Sequence, residues 1–232
     1  MKGDTTMKNL FTFEKVTLEE FVESMETLFS FEDPEKSRDY LQTLYYKIKL
    51  PQSQTTGSSG FDFFLPFAIA LYPGSSIVIP TGIRWVVPSM RSEEREYPGM
   101  TELMFQYLYE SIGFYLAIYP RSGLGFKYHV ELANTVGIID QDYWKSDNQG
   151  HIKIKLSYPM HNDSKHLVGV TTDPSGKVYN LQISSFSNVT KNPTLYLDAG
   201  DAFVQGIVTP YIKNETYTEQ VSRNGGFGST SK

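Results

Sequence analysis

The stretch Pro120-Arg-Ser-Gly-Leu-Gly-Phe-Lys-Tyr-His-Val-Glu-Leu-Ala-Asn-Thr-Val-Gly-Ile-Ile-Asp-Gln-Asp-Tyr143 holds the densest information in this chain of 232 residues. Pro120 with Gly123 and Gly125 predicts a tight turn directly after a strand at Gly113–Tyr119. Such a turn presents backbone N–H groups beside Arg121, Ser122 and Lys127, and donors of that kind suit phosphate oxygens. The apolar run Val136–Ile139 then reads as an extended strand delivering Asp140 and Asp142 on one side, with Tyr143 adjacent. A carboxylate emerging from an apolar run is a candidate general base.

Working outward, most of the remaining chain alternates short apolar runs with turn residues. Strands are expected at Phe61–Leu65, Ser76–Pro80, Ile83–Val87, Ile152–Ser157, Lys165–Thr172, Lys177–Ser184, Thr194–Leu197 and Ala202–Val208, and Tyr46, Ile48 and Leu50 alternate with lysines in the same manner. Asp173-Pro-Ser-Gly176 marks a hairpin between two of them. The fold class expected is mainly β, an antiparallel barrel or jelly roll. Helix enters in two places. Thr17-Leu-Glu-Glu20 has capping-box spacing ahead of Phe21, Val22 and Met25, and Asp33-Pro34 opens a second helix to about Thr43. Met100–Ile112 has helical spacing and reads as an inserted helix.

Composition narrows the function. The formal net charge is −5, which argues against a broad nucleic-acid surface but not against one anionic nucleotide. There is no cysteine, so thiolate catalysis and cysteine-ligated metals are excluded. The most apolar stretch, Phe61–Tyr72, is too short to cross a bilayer and is broken by Pro66, so no membrane association and a cytoplasmic location are expected.

Two further pieces complete a pattern: Ser59-Gly-Phe-Asp62, and Gly200-Asp-Ala-Phe-Val-Gln205. In chain order these segments resemble the five motifs of the trimeric dUTPase family. Residues 59–62 resemble the first motif, Pro120–Gly125 the second, Gly137–Tyr143 the third, Gly200–Gln205 the fourth and Arg223–Thr230 the fifth. The match from Pro120 to Tyr143 runs without a gap. Some phage-encoded members carry an insertion before the fourth motif, where this chain has His161–Pro193.

The resemblance implies a homotrimer with shared sites and the hydrolysis of dUTP to dUMP and pyrophosphate with Mg2+, which limits uracil in DNA and supplies dUMP. It implies that Asp140 orients and deprotonates the attacking water, while Asp62 holds hydrated magnesium through water. Ser122, Gly123 and Gln205 would meet phosphate oxygens, with Arg121 beside them. Asn134, with the backbone of Gly137 and Ile139, would read the uracil edge, and Tyr143 would pack under the deoxyribose and exclude a 2′-hydroxyl. Phe227, Gly228 and Ser229 would close over the base while Arg223 reaches the γ-phosphate.

The chain departs from the family pattern in several ways. Trp144–Gly150 forms a longer loop after Tyr143, Ala202 stands where a basic residue is usual, and Arg223 lies four residues before Phe227 rather than five. The division expected is a helical extension over 1–43, a barrel over 44–215 with insertions near 89–111 and 161–193, and a C-terminal arm over 216–232. His161 and His166 fall in the second insertion and are expected to be solvated. Two rival readings remain: a dCTP deaminase-like enzyme, and a regulatory protein that binds a protein partner through its insertions.

Overall fold

The computed structural model describes residues 10–29, 34–87, 111–159, 168–172, 178–182 and 194–213. In chain order the elements are β1 (Thr12–Lys15), α1 (Leu18–Leu28), α2 (Pro34–Lys47), β2 (Gly60–Phe64), β3 (Ile69–Leu71), β4 (Ser75–Pro80), β5 (Ile83–Val86) and β6 (Ile112–Pro120). There follow α3 (Ser122–Tyr128), β7 (Glu131–Leu132), β8 (Gly137–Asp140), a 3-10 turn (Tyr143–Lys145), β9 (Lys153–Tyr158), β10 (Val168–Thr172), β11 (Val178–Gln182), β12 (Leu195–Leu197) and β13 (Ala202–Ile212). The class is mainly β, as the turn-punctuated pattern requires.

Every strand pairing among the described residues is antiparallel. The central sheet has the order β2-β13-β6-β8, and a second has the order β4-β9-β7. Among the described residues three two-stranded pairs, β1-β5, β12-β3 and β10-β11, complete the set, and hydrogen bonding there does not close the sheets into a barrel. The two larger sheets and the β1-β5 and β12-β3 pairs share one core instead. Phe63, Leu116, Ile118, Phe203 and Val204 of the central sheet pack with Ile79, Trp85, Ile154 and Leu156, all nearly or fully buried. Fully burying an aliphatic or aromatic side chain of this size is worth about 1.5–3 kcal/mol.

The helices add to the same core. Thr17 Oγ1 accepts from the Glu20 N–H at 3.3 Å, capping α1, and Phe21, Val22 and Met25 face inward. Only half of the expected capping box forms, because the Thr17 N–H goes to Gln149 Oε1 at 2.9 Å. Strand β1, which the sequence did not reveal, pairs with β5 and brings Glu14 to Arg84, whose Nε and Nη2 both donate to Glu14 Oε2 at 3.1 and 2.6 Å.

Two expectations are corrected. The alternation Tyr46-Ile48-Leu50 is not a strand, since α2 continues to Lys47. Leu41, Leu44 and Ile48, at helical spacing, are the buried residues, whereas Tyr46 and Leu50 are exposed. Tertiary burial of one helical face outweighed a local period of two. The segment after Pro120 is a short helix rather than a tight turn. Its opening Leu124 and Gly125 N–H groups both bond Arg121 O at 3.0 Å, Leu124 packs on the core, and His129 ends it in the left-handed region.

The hairpin expected around Asp173–Gly176 is consistent with the antiparallel register Thr172↔Val178, although residues 173–177 lie outside the described residues. So do residues 88–110, with nearly all of the expected inserted helix, and His161, His166, Arg223, Phe227, Gly228 and Ser229.

Candidate functional site

A cleft of about 780 Å³ opens between β8, β9 and the end of α1. Asn134, Gly137, Ile139, Asp140 and Tyr143 all line it, so the third motif and the turn before it converge on one place. Lys153 and Lys155 of β9 and Thr27 and Leu28 of α1 also line it. None of these four was singled out from sequence. Lysines alternating on a strand carry no signal until its neighbours are known.

Local backbone geometry holds the turn open. The Thr135 N–H donates to Leu132 O at 2.9 Å, the Val136 N–H donates to Asn134 O at 2.6 Å, and Thr135 itself has φ +65°. A β-branched residue is strained in that region, by roughly 1–2 kcal/mol, and such outliers concentrate at functional turns. Gly137 keeps the turn close to β6. A Cβ there would stand 3.2 Å from Ile118 Cβ and 4.0 Å from Asn134 Nδ2.

Asp140 ends β8 opposite Tyr115 of β6, partly exposed. The strand stops there, and Gln141 and Asp142 form a turn rather than continuing an extended face. Burial first, and then the charges of Asp140 and Asp142, push the Tyr211 phenol up. Tyr143 is 4% exposed. Its hydroxyl accepts from Asn148 Nδ2 at 2.9 Å and lies 3.4 Å from His151 O.

The loop after Tyr143 folds back on itself. The Ser146 N–H donates to Tyr143 O at 3.0 Å, and the Gly150 N–H donates to Asn148 Oδ1 at 3.2 Å. Gly150 has φ +72°, and a Cβ would stand 2.4 Å from Trp144 Cα, so this closure requires glycine.

A second cluster lies across the sheet. Asp62 of β2 pairs with Gln205 of β13, which pairs with Tyr119 of β6, so the three occupy one rung. Asp62 is 6% exposed; Oδ1 stands 3.5 Å from Arg121 Nε, and Oδ2 is buried with no hydrogen-bond partner. Gly60 leaves room for Gln205, whose Oε1 lies 2.7 Å from where a Cβ would be. Arg121, Ser122 and Gly123 are exposed at the start of α3.

These clusters do not meet within one chain. Asp140 and Asp62 lie three strand spacings apart across β8-β6-β13-β2 and four residues apart along β6. At about 4.8 Å per spacing and 3.4 Å per residue, they are roughly 20 Å apart.

Among the described residues no group of three or more His, Asp or Glu could hold a metal directly. The unpartnered Asp62 Oδ2 nevertheless fits a hydrated divalent ion, whose water would donate to it. No helix among the described residues is long and apolar enough to cross a membrane.

Comparison with known proteins gives a consistent set of names. No protein-family model matches the chain. The deoxyuridine 5'-triphosphate nucleotidohydrolase of Lactococcus lactis is 25% identical over 186 residues, covering 79% of this chain and 88% of the relative. That of Aeromonas salmonicida is 32% identical over 136 residues, covering 58% of this chain and 68% of the relative. Among solved structures, the dUTPase of Staphylococcus aureus phage phi11, described for its coordination of a structural Mg(II) ion, superposes with a TM-score of 0.44 at 18% identity. It covers 75% of this chain and 90% of that one. The sequence relatives carry the assignment.

Proposed function

This chain belongs to the deoxyuridine 5'-triphosphate nucleotidohydrolase family, and from that premise we infer that it hydrolyses dUTP to dUMP and pyrophosphate. The observation that carries the reading is the convergence of Asn134, Gly137, Asp140 and Tyr143 on one cleft. A volume of about 780 Å³ is ample for a nucleotide, since small-molecule sites span about 300–1,000 Å³.

In the mechanism we propose, Asn134 and the Gly137–Ile139 backbone take the uracil edge, and Tyr143 lies under the sugar. Asp140 accepts the proton of a water aligned with the α-phosphorus, opposite the departing pyrophosphate. Gln205, Ser122, Gly123 and Arg121 hold phosphate oxygens, and neutralising those oxygens favours an in-line displacement. Mg2+, held through water by Asp62, would supply further charge neutralisation on the triphosphate. Arg223, Phe227, Gly228 and Ser229 are proposed to close over the nucleotide.

Both Asp140 and Asp62 must act near the α-phosphate, and a separation of roughly 20 Å within one chain prevents that. The two clusters therefore belong to different sites, each completed by another copy. This supports sites shared between copies, and we propose that the assembly is a homotrimer, each chain divided into an extension (1–43), a mainly β unit (44–215) and an arm (216–232). A deaminase is disfavoured. Where that rival needs a carboxylate after the third motif, the chain has His151, which is 0% exposed and turned away from the cleft toward Glu20.

The test is complementation. Asp62→Asn and Asp140→Asn chains, each slowed about 10²-fold or more alone, should regain dUTP turnover when refolded together, because some mixed sites draw an intact residue from each. Failure to regain activity, with both variants trimeric, would contradict shared sites.

A further inference from the structure

We propose that helix α1, outside the family's motifs, is a working wall of the nucleoside cleft that sets sugar selectivity by fixing Tyr143. The inference rests on the nucleoside reading of that cleft.

Two additions to the family pattern fit each other. The loop Trp144–Gly150 receives α1: Thr17 N–H donates to Gln149 Oε1 at 2.9 Å, and Gln149 Nε2 donates back to Thr17 Oγ1 at 3.0 Å. One turn further along the helix, Glu20 and Ser24 reach the fully buried His151. The Gly82 N–H donates to His151 Nε2 at 2.9 Å, so the proton of a neutral ring sits on Nδ1 and is donated to Glu20 Oε1 at 3.0 Å. Ser24 Oγ donates to the same carboxylate oxygen at 2.9 Å. The His151 carbonyl in turn lies 3.4 Å from the Tyr143 hydroxyl, which Asn148 of the loop also holds. Helix, loop and tyrosine thus form one hydrogen-bonded series.

The far end of the helix touches the cleft itself. Thr27 and Leu28 line it together with Asn134, Asp140 and Tyr143, and Leu28 remains 41% exposed there. Leu28 is a contact residue, whereas Glu20 and His151 are positioning residues that act through Tyr143. A steric filter against one hydroxyl works only while its wall stays within a fraction of an ångström, which is what a buried, fully bonded pin provides.

The experiment measures kcat and KM for dUTP and UTP, with thermal midpoints, on the unsubstituted protein and on Leu28→Ala, Glu20→Leu and Glu20→Gln. Leu28→Ala, at an exposed position, should raise KM for dUTP about 3–10-fold with kcat within two-fold. Glu20→Leu should lower the dUTP/UTP preference at least about five-fold, and Glu20→Gln, whose amide oxygen still accepts from Nδ1, should restore most of it. A lowered thermal midpoint with an unchanged dUTP/UTP ratio would show a purely structural helix and overturn the proposal, as would an unchanged KM in Leu28→Ala. No dUTP turnover by the unsubstituted protein would overturn the underlying nucleoside reading. Normal turnover with unmoved ratios overturns only the helix's part.

Discussion

Arg121 Nε stands 3.5 Å from Asp62 Oδ1, while the second oxygen of the same buried carboxylate has no partner. An acceptor left in that state costs about 1–3 kcal/mol, so it persists where function requires it. Asp62→Asn should therefore lower dUTP turnover about 10²-fold or more while the thermal midpoint holds or rises. Pyrophosphate release and differential scanning calorimetry measure the two. Full activity in this variant would remove Asp62 from the site.

Asp140→Asn conserves shape at a partly exposed strand end, so the fold should be kept. If Asp140 is the general base, the rate falls by about 10² to 10⁴ with little change in dUTP affinity. Single-turnover kinetics with a parallel binding titration separates those quantities.

Gly60→Ala would place a methyl 2.7 Å from Gln205 Oε1. The far end of a flexible side chain gives way more readily than backbone, so the glutamine amide should swing from its position. We expect kcat/KM to fall about ten-fold with less than about 1 kcal/mol lost in stability. A large loss of stability with kcat/KM intact would show that Gln205 is only packing.

Acid should weaken the attachment of α1. Burial holds His151 below the ordinary histidine range even though Glu20 favours its protonation, and its Nε2 already accepts from Gly82. The unfolded chain therefore binds a proton at this position more readily than the folded one, so stability is full above the unfolded value near 6.5 and declines as pH falls below it. Glu20 adds to the same trend lower down. Burial pushes it up, but the hydrogen bonds of His151 and Ser24 outweigh this and hold it below its ordinary value near 4.5, so its contribution is lost in more acid solution. The thermal midpoint should fall from pH 7 to pH 5, and His151→Gln should flatten that fall. Equal slopes in both proteins would contradict it.

Much of the site was legible because it is local. Asn134, Gly137, Asp140 and Tyr143 sit within ten residues, and a single turn and strand bring them to one cleft. Motif order singled out Asp62, Arg121 and Gln205, but the Asp62–Arg121 contact and the rung joining Asp62, Gln205 and Tyr119 needed the sheet order. What could not be read was the long-range wiring. Thr17 and Gln149 are 132 positions apart, and nothing in Thr17-Leu-Glu-Glu20 says that its glutamate will serve a buried histidine rather than its own cap. Tyr46–Leu50 failed for the same physical reason, since the burial of Leu41, Leu44 and Ile48 is decided by the partners of α2.

The most direct measurement is pyrophosphate release from dUTP, dCTP, dTTP and UTP at saturating magnesium. Turnover of dUTP at least about 10²-fold above the other three in kcat/KM is expected of a cleft that reads both uracil and deoxyribose. Absence of dUTP hydrolysis, or equal hydrolysis of UTP, would contradict the assigned function.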